Sequence, residues 1–301
     1  MKKLLELPNQ KKIYFLNEQE ALFLYDDIFV RQSYLQHGIT LKAGDVVFDI
    51  GANIGLFALF AHQYCQGNVN LFCFEPIDLL YKILQKNMQG TTVVTYNCGL
   101  WNESGEATFD YFPHYSLLSG ADAKFTPGEK KNFTNLIIDN LKNAKKTNNF
   151  IEALIKICPP AWKATLVELI LDKFFLKTEE CIVTLTNLSE IIKQHELCQI
   201  DLVKLDAEKA ELKILEGIKS ADWTKIQQFV IEVHNIYDRL NIIKNMLEKY
   251  GFECTVEAGS PPKFLAYSIL GVTNPVFTNH HSQELLYTIY AKKKKIRIRT
   301  D

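Results

Sequence analysis

Asp49, Glu75, Asp206, Glu232 and His234 each stand where an apolar, strand-like run is about to end. Asp49 sits near the end of VVFDI, and Glu75 closes residues 69–75, VNLFCFE. Asp206 ends IDLVKLD and has Glu208 two residues on, while Glu232 and His234 are two apart in QQFVIEVH. Residues two apart on a strand point the same way. In an open α/β sheet the ligand lies over the carboxyl ends of the strands, so both pairs can face one cleft. An alcohol is a poor nucleophile unless its proton leaves as the new bond forms. An imidazole of ordinary pKa, near ~6.5, suits that task, which is worth roughly 10²–10⁴-fold. His234 is therefore read as a general base, with Asp206 or Glu232 orienting it.

Between Asp49 and Glu75 the chain reads Gly51-Ala52-Asn53-Ile54-Gly55 and then turns apolar. A strand, a glycine turn and a helix can hold a nucleotide at the helix N-terminus. The dinucleotide fingerprint G-x-G-x-x-G wants glycine where Asn53 stands. A pyrophosphate beside Asp49 would also place two anions in one pocket. S-adenosylmethionine (SAM) carries both charges and fits better. Its ammonium meets Asp49 or nearby carbonyls, and its carboxylate takes the N–H groups of Asn53, Ile54 and Gly55. Gly51 and Gly55 let the backbone approach the ligand. Glu75, about twenty residues past Gly55, can accept both ribose hydroxyls, a role also found in NAD sites.

Elements that would position these groups follow from periodicity. Residues 15–39 read as largely helical and end at Gly38. Strand and helix then alternate through residues 46–99, with a further short strand over 107–112. Alternation returns from residue 181, with strands over 181–185, 200–206 and 227–234, and helices over 188–195, 209–217 and 239–250. Residues 252–257 and 285–293 close the chain as an antiparallel pair. The economical architecture is α/β, a doubly wound, mainly parallel, Rossmann-like sheet with an antiparallel last strand. The middle third is Lys/Asn-rich and helical, too long for a loop, and reads as a helical insertion. Three regions result: an N-terminal helical segment (1–40), a Rossmann-like domain (41–114 and 179–301), and the insertion (115–178) as a substrate lid.

Bulk properties narrow the class. The 301 residues carry net charge −1, 47% apolar and 23% charged content, as in a soluble globular protein that has no global attraction to nucleic acid or an anionic membrane. The opening MKKLLELPNQKK is too short in apolar residues for a signal or an anchor. Seven scattered cysteines without C-x-x-C read as reduced thiols, which points to the cytoplasm. His280 and His281, adjacent in a polar stretch, read as a solvated loop, and the basic end KKKKIRIRT as a solvated strand end.

VVFDIGANIGLFALFA, CFEP, YNCGLWNESGEATF, IDLVKLDAEKAELKILEGI and FVIEVHN together resemble the FkbM-type methyltransferases. The block at 206–211, Asp-Ala-Glu-Lys-Ala-Glu, differs from the Asp-Val-Glu-Gly-Ala-Glu that the family leads one to expect. The lysine variant, FLYDDIFVRQSYLQHGI and YFPHYSLLSG resemble the branch associated with polyketide and nonribosomal-peptide assembly lines. The resemblance implies a class I methyltransferase fold and O-methylation of a small molecule. It also implies that Asp49, Gly51, Asn53 and Gly55 lie at the methionine end of SAM and Glu75 at the ribose, with Pro76 beside it. Asn97 to Trp101, Leu100 among them, would flank the adenine. The acceptor would be a natural-product hydroxyl, free or tethered to a carrier protein, with a sugar hydroxyl as rival. A SAM-binding module without turnover is the alternative from another class. Tyr25, Tyr34, Tyr115, Ser116 and Ser119 are candidates for acceptor contacts. No dedicated metal ligand set is expected. Mg²⁺ is compatible with the acids but not required. No nucleic-acid or membrane partner is expected, and a homo-oligomer is compatible with the sequence.

Overall fold

A computed structural model describes residues 3–113, 115–121, 126–143, 150–175, 177–259 and 286–294. His280, His281 and the tail from Lys295 lie outside these residues.

The N-terminal segment is not helical throughout. A two-stranded hairpin, β1 (Leu4–Glu6) and β2 (Lys12–Tyr14), precedes helix α1 (Glu18–Tyr25). Asn17 caps α1 by accepting the N–H groups of Gln19 and Glu20. One π-turn (Asp26–Val30) and one 3-10 turn (Ser33–Leu35) lead to β3 (Val46–Ile50). Then come α2 (Leu56–Tyr64), β4 (Asn70–Phe74), α3 (Asp78–Asn87) and β5 (Val94–Tyr96).

From Gly99 the chain leaves the main sheet. β6 (Gly99–Leu100) and β7 (Gly105–Tyr111) join β8 (Glu179–Thr186) in a separate three-stranded sheet. The strand expected at 181–185 therefore forms but is not part of the central alternation. It pairs antiparallel with β7 and leaves its outer face in solvent, with Ile182 75% exposed. Helices α4 (Pro127–Asn143), α5 (Phe150–Ile157) and α6 (Pro160–Ile170) lie between β7 and β8 and share a small core with Phe112, Tyr115 and Leu118.

After α7 (Leu188–Gln194) the chain re-enters the main sheet as β9 (Leu202–Leu205), then α8 (Glu211–Glu216), β10 (Gln228–His234), α9 (Arg239–Lys249), β11 (Phe252–Ala258) and β12 (Leu286–Lys293). The seven-stranded order is β11-β12-β10-β9-β3-β4-β5, and β12 alone runs antiparallel to its neighbours. Chain order reverses between β3 and β9, which creates the crevice where open α/β sheets bind ligands.

Strand parity sorts the side chains. Phe48, Ile50, Val203, Leu205, Phe229, Ile231 and Val233 pack on one face with α7, α8 and α9. Val47, Leu202 and Val230 pack on the other with α2, α3 and the N-terminal segment. Asp49, Lys204, Glu232 and His234 have the parity of this second face.

Candidate active site

The loop after β3 turns on three left-handed residues, Gly51 (φ 74°), Asn53 (φ 51°) and Gly55 (φ 89°). A Cβ on Gly51 would lie 1.7 Å from the Asp206 carbonyl oxygen, and one on Gly55 would lie 2.7 Å from Leu84 Cδ1. The two glycines thus admit neighbouring protein, the end of β9 and helix α3. The N–H groups expected to receive a carboxylate are also engaged. Asn53 N–H donates to Glu75 Oε2 (2.8 Å), Ile54 N–H to Asn53 Oδ1 (2.8 Å) and Gly55 N–H to the Ala52 carbonyl (2.8 Å). The left-handed Asn53 curls the loop inward and spends these donors locally.

Glu75 is 4% exposed, and its second oxygen accepts Ile77 N–H at 2.9 Å. Burial pushes its pKa to about 7, against the pull of the two N–H groups. Pro76 follows, half-buried. Asn97 is exposed and donates to Asp78 Oδ1 (3.3 Å) at the start of α3. Leu100, expected to flank the cofactor, is a core residue, 2% exposed. Its strand turns toward β8 and carries the side chain inward.

Asp49 is fully buried, and the cation it meets belongs to the chain itself. Lys204 faces it across the β3–β9 register, with Nζ 3.2 Å from Asp49 Oδ1. Neither Asp49 oxygen makes a hydrogen bond of good geometry, so this is an ion pair through space. Lys204 Nζ also donates to the Gly51 carbonyl (2.8 Å), lies 3.7 Å from Asp206 Oδ2, and stands 5.4 Å from the Tyr34 ring centre. Burial alone would lower the lysine pKa, but Asp49 and Asp206 outweigh it and the net shift is upward. Asp49 is raised by burial, with Lys204 opposing. The expected meeting of Asp49 with a ligand ammonium is thereby replaced by an internal pair that ties the loop to β9. Lys204 was missed in the sequence. Its one visible signal is a lysine at a core-facing place in the run LVKL.

At the ends of β9 and β10, three of the residues singled out in the sequence converge. Ligand atoms of Glu208, Glu232 and His234 all lie within 4.8 Å of one another. His234 Nε2 is 3.3 Å from Glu208 Oε2, and Nδ1 is 3.4 Å from Glu211 Oε1. The orienting acid is therefore Glu211, not Asp206 or Glu232. Glu211 is wholly buried and fixed by Arg239 (3.2 Å) and by Lys209 N–H (2.8 Å). Asp206 instead accepts the Tyr34 hydroxyl (3.0 Å). Glu208 and Lys209 are consecutive left-handed residues, which turns the chain so that both glutamates reach the imidazole. Burial would lower the His234 pKa, but Glu208, Glu211 and Glu232 carry it up to about 10. That overturns the expectation of an imidazole neutral near pH 7, because clustered acids retain its proton. Glu232 is raised well above the carboxylate range by burial and by Asp206, and Glu208 is raised by burial.

The proposed acceptor contacts do not form one group. Tyr25 stacks on Phe29 (4.9 Å), Tyr115 is buried, and Ser119 Oγ accepts Phe112 N–H (3.0 Å). Ser116 joins the cofactor-side loop instead, taking Asn53 Nδ2 at 3.3 Å.

A parallel sheet with a chain reversal beside β3, and an antiparallel strand next to its far edge, is the architecture of class I methyltransferases. A family model described as the methyltransferase FkbM domain matches residues 49–254, and the chain belongs to that family. It is 33% identical over 267 residues to 31-O-demethyl-FK506 methyltransferase FkbM of Streptomyces tacrolimicus, covering 88% of this chain and 94% of that protein. It is 27% identical over 255 residues to methyltransferase sdnD of Sordaria araneosa, covering 80% and 86%. It is 28% identical over 258 residues to the AMB antimetabolite synthetase AmbE of Pseudomonas aeruginosa, covering 83% of this chain but 11% of that protein.

Membership of the family implies SAM as cofactor. Glu75 is compatible with it: each of its buried oxygens accepts one backbone N–H and keeps a second lone pair that a ligand hydroxyl could use. All seven cysteines are unpaired thiols. Among the described residues, no helix is long and apolar enough to cross a membrane.

Proposed function

We propose that the protein transfers a methyl group from SAM to a hydroxyl of a natural product of polyketide or peptide type, free or carrier-bound. One observation carries this reading: the Asn53-held Glu75 and the Glu208–Glu232–His234 group occupy the carboxyl ends of strands on one sheet, around the chain reversal. The relative named for 31-O-demethyl-FK506 supports an oxygen acceptor, and the match within an antimetabolite synthetase supports a biosynthetic setting. Glu75 holds the ribose. Bound SAM supplies an electrophilic methyl carried on a positive sulfur. The protein contributes orientation and a destination for the hydroxyl proton, and alignment supplies much of the rate. The Glu208 carboxylate, paired with the protonated His234, takes that proton, with Glu211 setting the imidazole orientation.

Geometry also favours a second reading of the same residues. Glu208, Glu232 and His234 offer two carboxylates and an imidazole to a divalent cation, which would acidify the hydroxyl directly. Radiolabelled SAM with panels of natural-product alcohols and sugars tests the function. Transfer to natural-product alcohols is expected. Transfer to sugars alone overturns the substrate class, and SAM binding without transfer to any acceptor overturns the enzyme. Loss of transfer on EDTA dialysis, with rescue by Mg²⁺ or Mn²⁺, replaces the metal-free mechanism by the second reading.

A further inference from the structure

Helix α1 precedes the segment that the family model matches, yet it sends one buried acid to the cofactor loop. Glu20 is 4% exposed, and Ser116 is 5% exposed. Ser116 Oγ donates to Glu20 Oε2 at 2.8 Å, and Leu117 N–H approaches Oε1 at 3.3 Å. Among the described residues Glu20 has no ion pair. Burial accordingly lifts its pKa to about 7. A carboxylate buried without a cation costs stability, so its net effect on folding does not explain the arrangement.

Its hydrogen bonds lead elsewhere. Asn53 Nδ2 donates to Ser116 Oγ (3.3 Å), so donation runs in one sense from Asn53 through Ser116 to Glu20, and each bond polarises the next. Asn53 Oδ1 takes Ile54 N–H, and Asn53 N–H takes hold of Glu75 Oε2. Asn53 adopts the left-handed conformation that asparagine tolerates, with its side chain held at both ends, by Ile54 N–H and by Ser116. Ser116 is the side chain that reaches the outer end of Asn53. The same segment touches the acceptor side, since a Cβ on Gly120 would lie 2.7 Å from the Glu208 carbonyl oxygen.

We propose that Glu20 and Ser116 are positioning residues for the cofactor: acting through Asn53, they hold the loop and the Glu75 carboxylate in the orientation that receives the ribose. This rests on the reading of Glu75 given above.

Calorimetric titration with S-adenosylhomocysteine tests it on wild type, Ser116→Ala, Glu20→Ala, Glu20→Gln and Ser119→Ala. Wild type binds. Ser116→Ala and Glu20→Ala each weaken binding about tenfold, equal to about 1.4 kcal/mol. The double variant is no weaker than either single one, because the chain is already broken. Glu20→Gln keeps an acceptor for Leu117 and stays within about threefold of wild type. Ser119→Ala, which removes a neighbouring hydroxyl bonded to Phe112 N–H and not to the loop, binds as wild type. In turnover, KM for SAM rises in Ser116→Ala while kcat at saturation holds. Wild-type affinity in Ser116→Ala overturns the proposal, as does an equal loss in Ser119→Ala, which would mark general loosening of the segment. A wild type that binds no S-adenosylhomocysteine overturns the reading of Glu75, and the proposal with it.

Discussion

At the end of β4, Glu75 sits between two backbone N–H groups, and Asp49 nearby faces its own buried lysine. At the ends of β9 and β10, Glu208 and Glu232 crowd each other, Asp206 and a single histidine. The first region pairs its charged groups inside the chain. The second leaves acids in excess, and burial raises the pKa of Glu208 and Glu232.

That contrast can be broken most severely at Lys204. Lys204→Met strands Asp49 as an unpaired buried charge and is expected to cost about 3–5 kcal/mol in urea unfolding, with Asp49→Asn in the same chain restoring most of it. If Lys204→Met unfolds at the wild-type midpoint, the cofactor side is not held by that pair. On the acceptor side, His234→Gln should match wild type in unfolding only near pH 10 and above, and cut kcat by roughly 10²–10⁴-fold by removing the cation beside Glu208. The pH sign follows from a folded pKa of about 10 against an ordinary 6.5. The histidine's contribution to stability is complete below pH 6.5 and lost as pH rises toward 10. The wild-type advantage over His234→Gln should fade across that window in parallel unfolding curves.

Glu75 has the opposite sense. Its folded pKa of about 7 lies above the ordinary 4.5, so the folded state holds the proton more tightly. Stability is therefore greatest below pH 4.5 and falls as pH rises to 7, by about 3 kcal/mol at most. Glu75→Gln should flatten that decline in melting temperature while weakening S-adenosylhomocysteine binding. The smallest effect is expected at Gly44→Ala, where φ is +90° and nothing lies within 4 Å of the added Cβ. It should lose about 1 kcal/mol of stability from backbone strain alone and none of the transfer activity.

Much of this was legible in the residues. VVFDIGANIGLF announced a strand, a tight turn and a helix, and Glu75 could be placed at the end of the next strand. The glycine roles were not legible, because a positive φ can serve a ligand or a neighbouring chain segment. At Gly51 the neighbour is Asp206, 155 residues away. β8 carried a strand signal but no sign of which sheet it would join, since pairing with β7 across the insertion is a long-range choice. The tie from His234 to Glu211 was hidden by the turn at Glu208 and Lys209, two non-glycine residues in left-handed conformation.

By itself the sequence determined the elements, the sheet class and the acids and histidine at the strand ends, because periodicity and turn chemistry act over a few residues. Tertiary structure decided the partners. Lys204 answers Asp49 because β9 lies beside β3, Glu20 reaches Ser116 because α1 packs against the start of the insertion, and His234 keeps its proton because three glutamates surround it. Charge is read one residue at a time, but its energy depends on distances that only the fold sets.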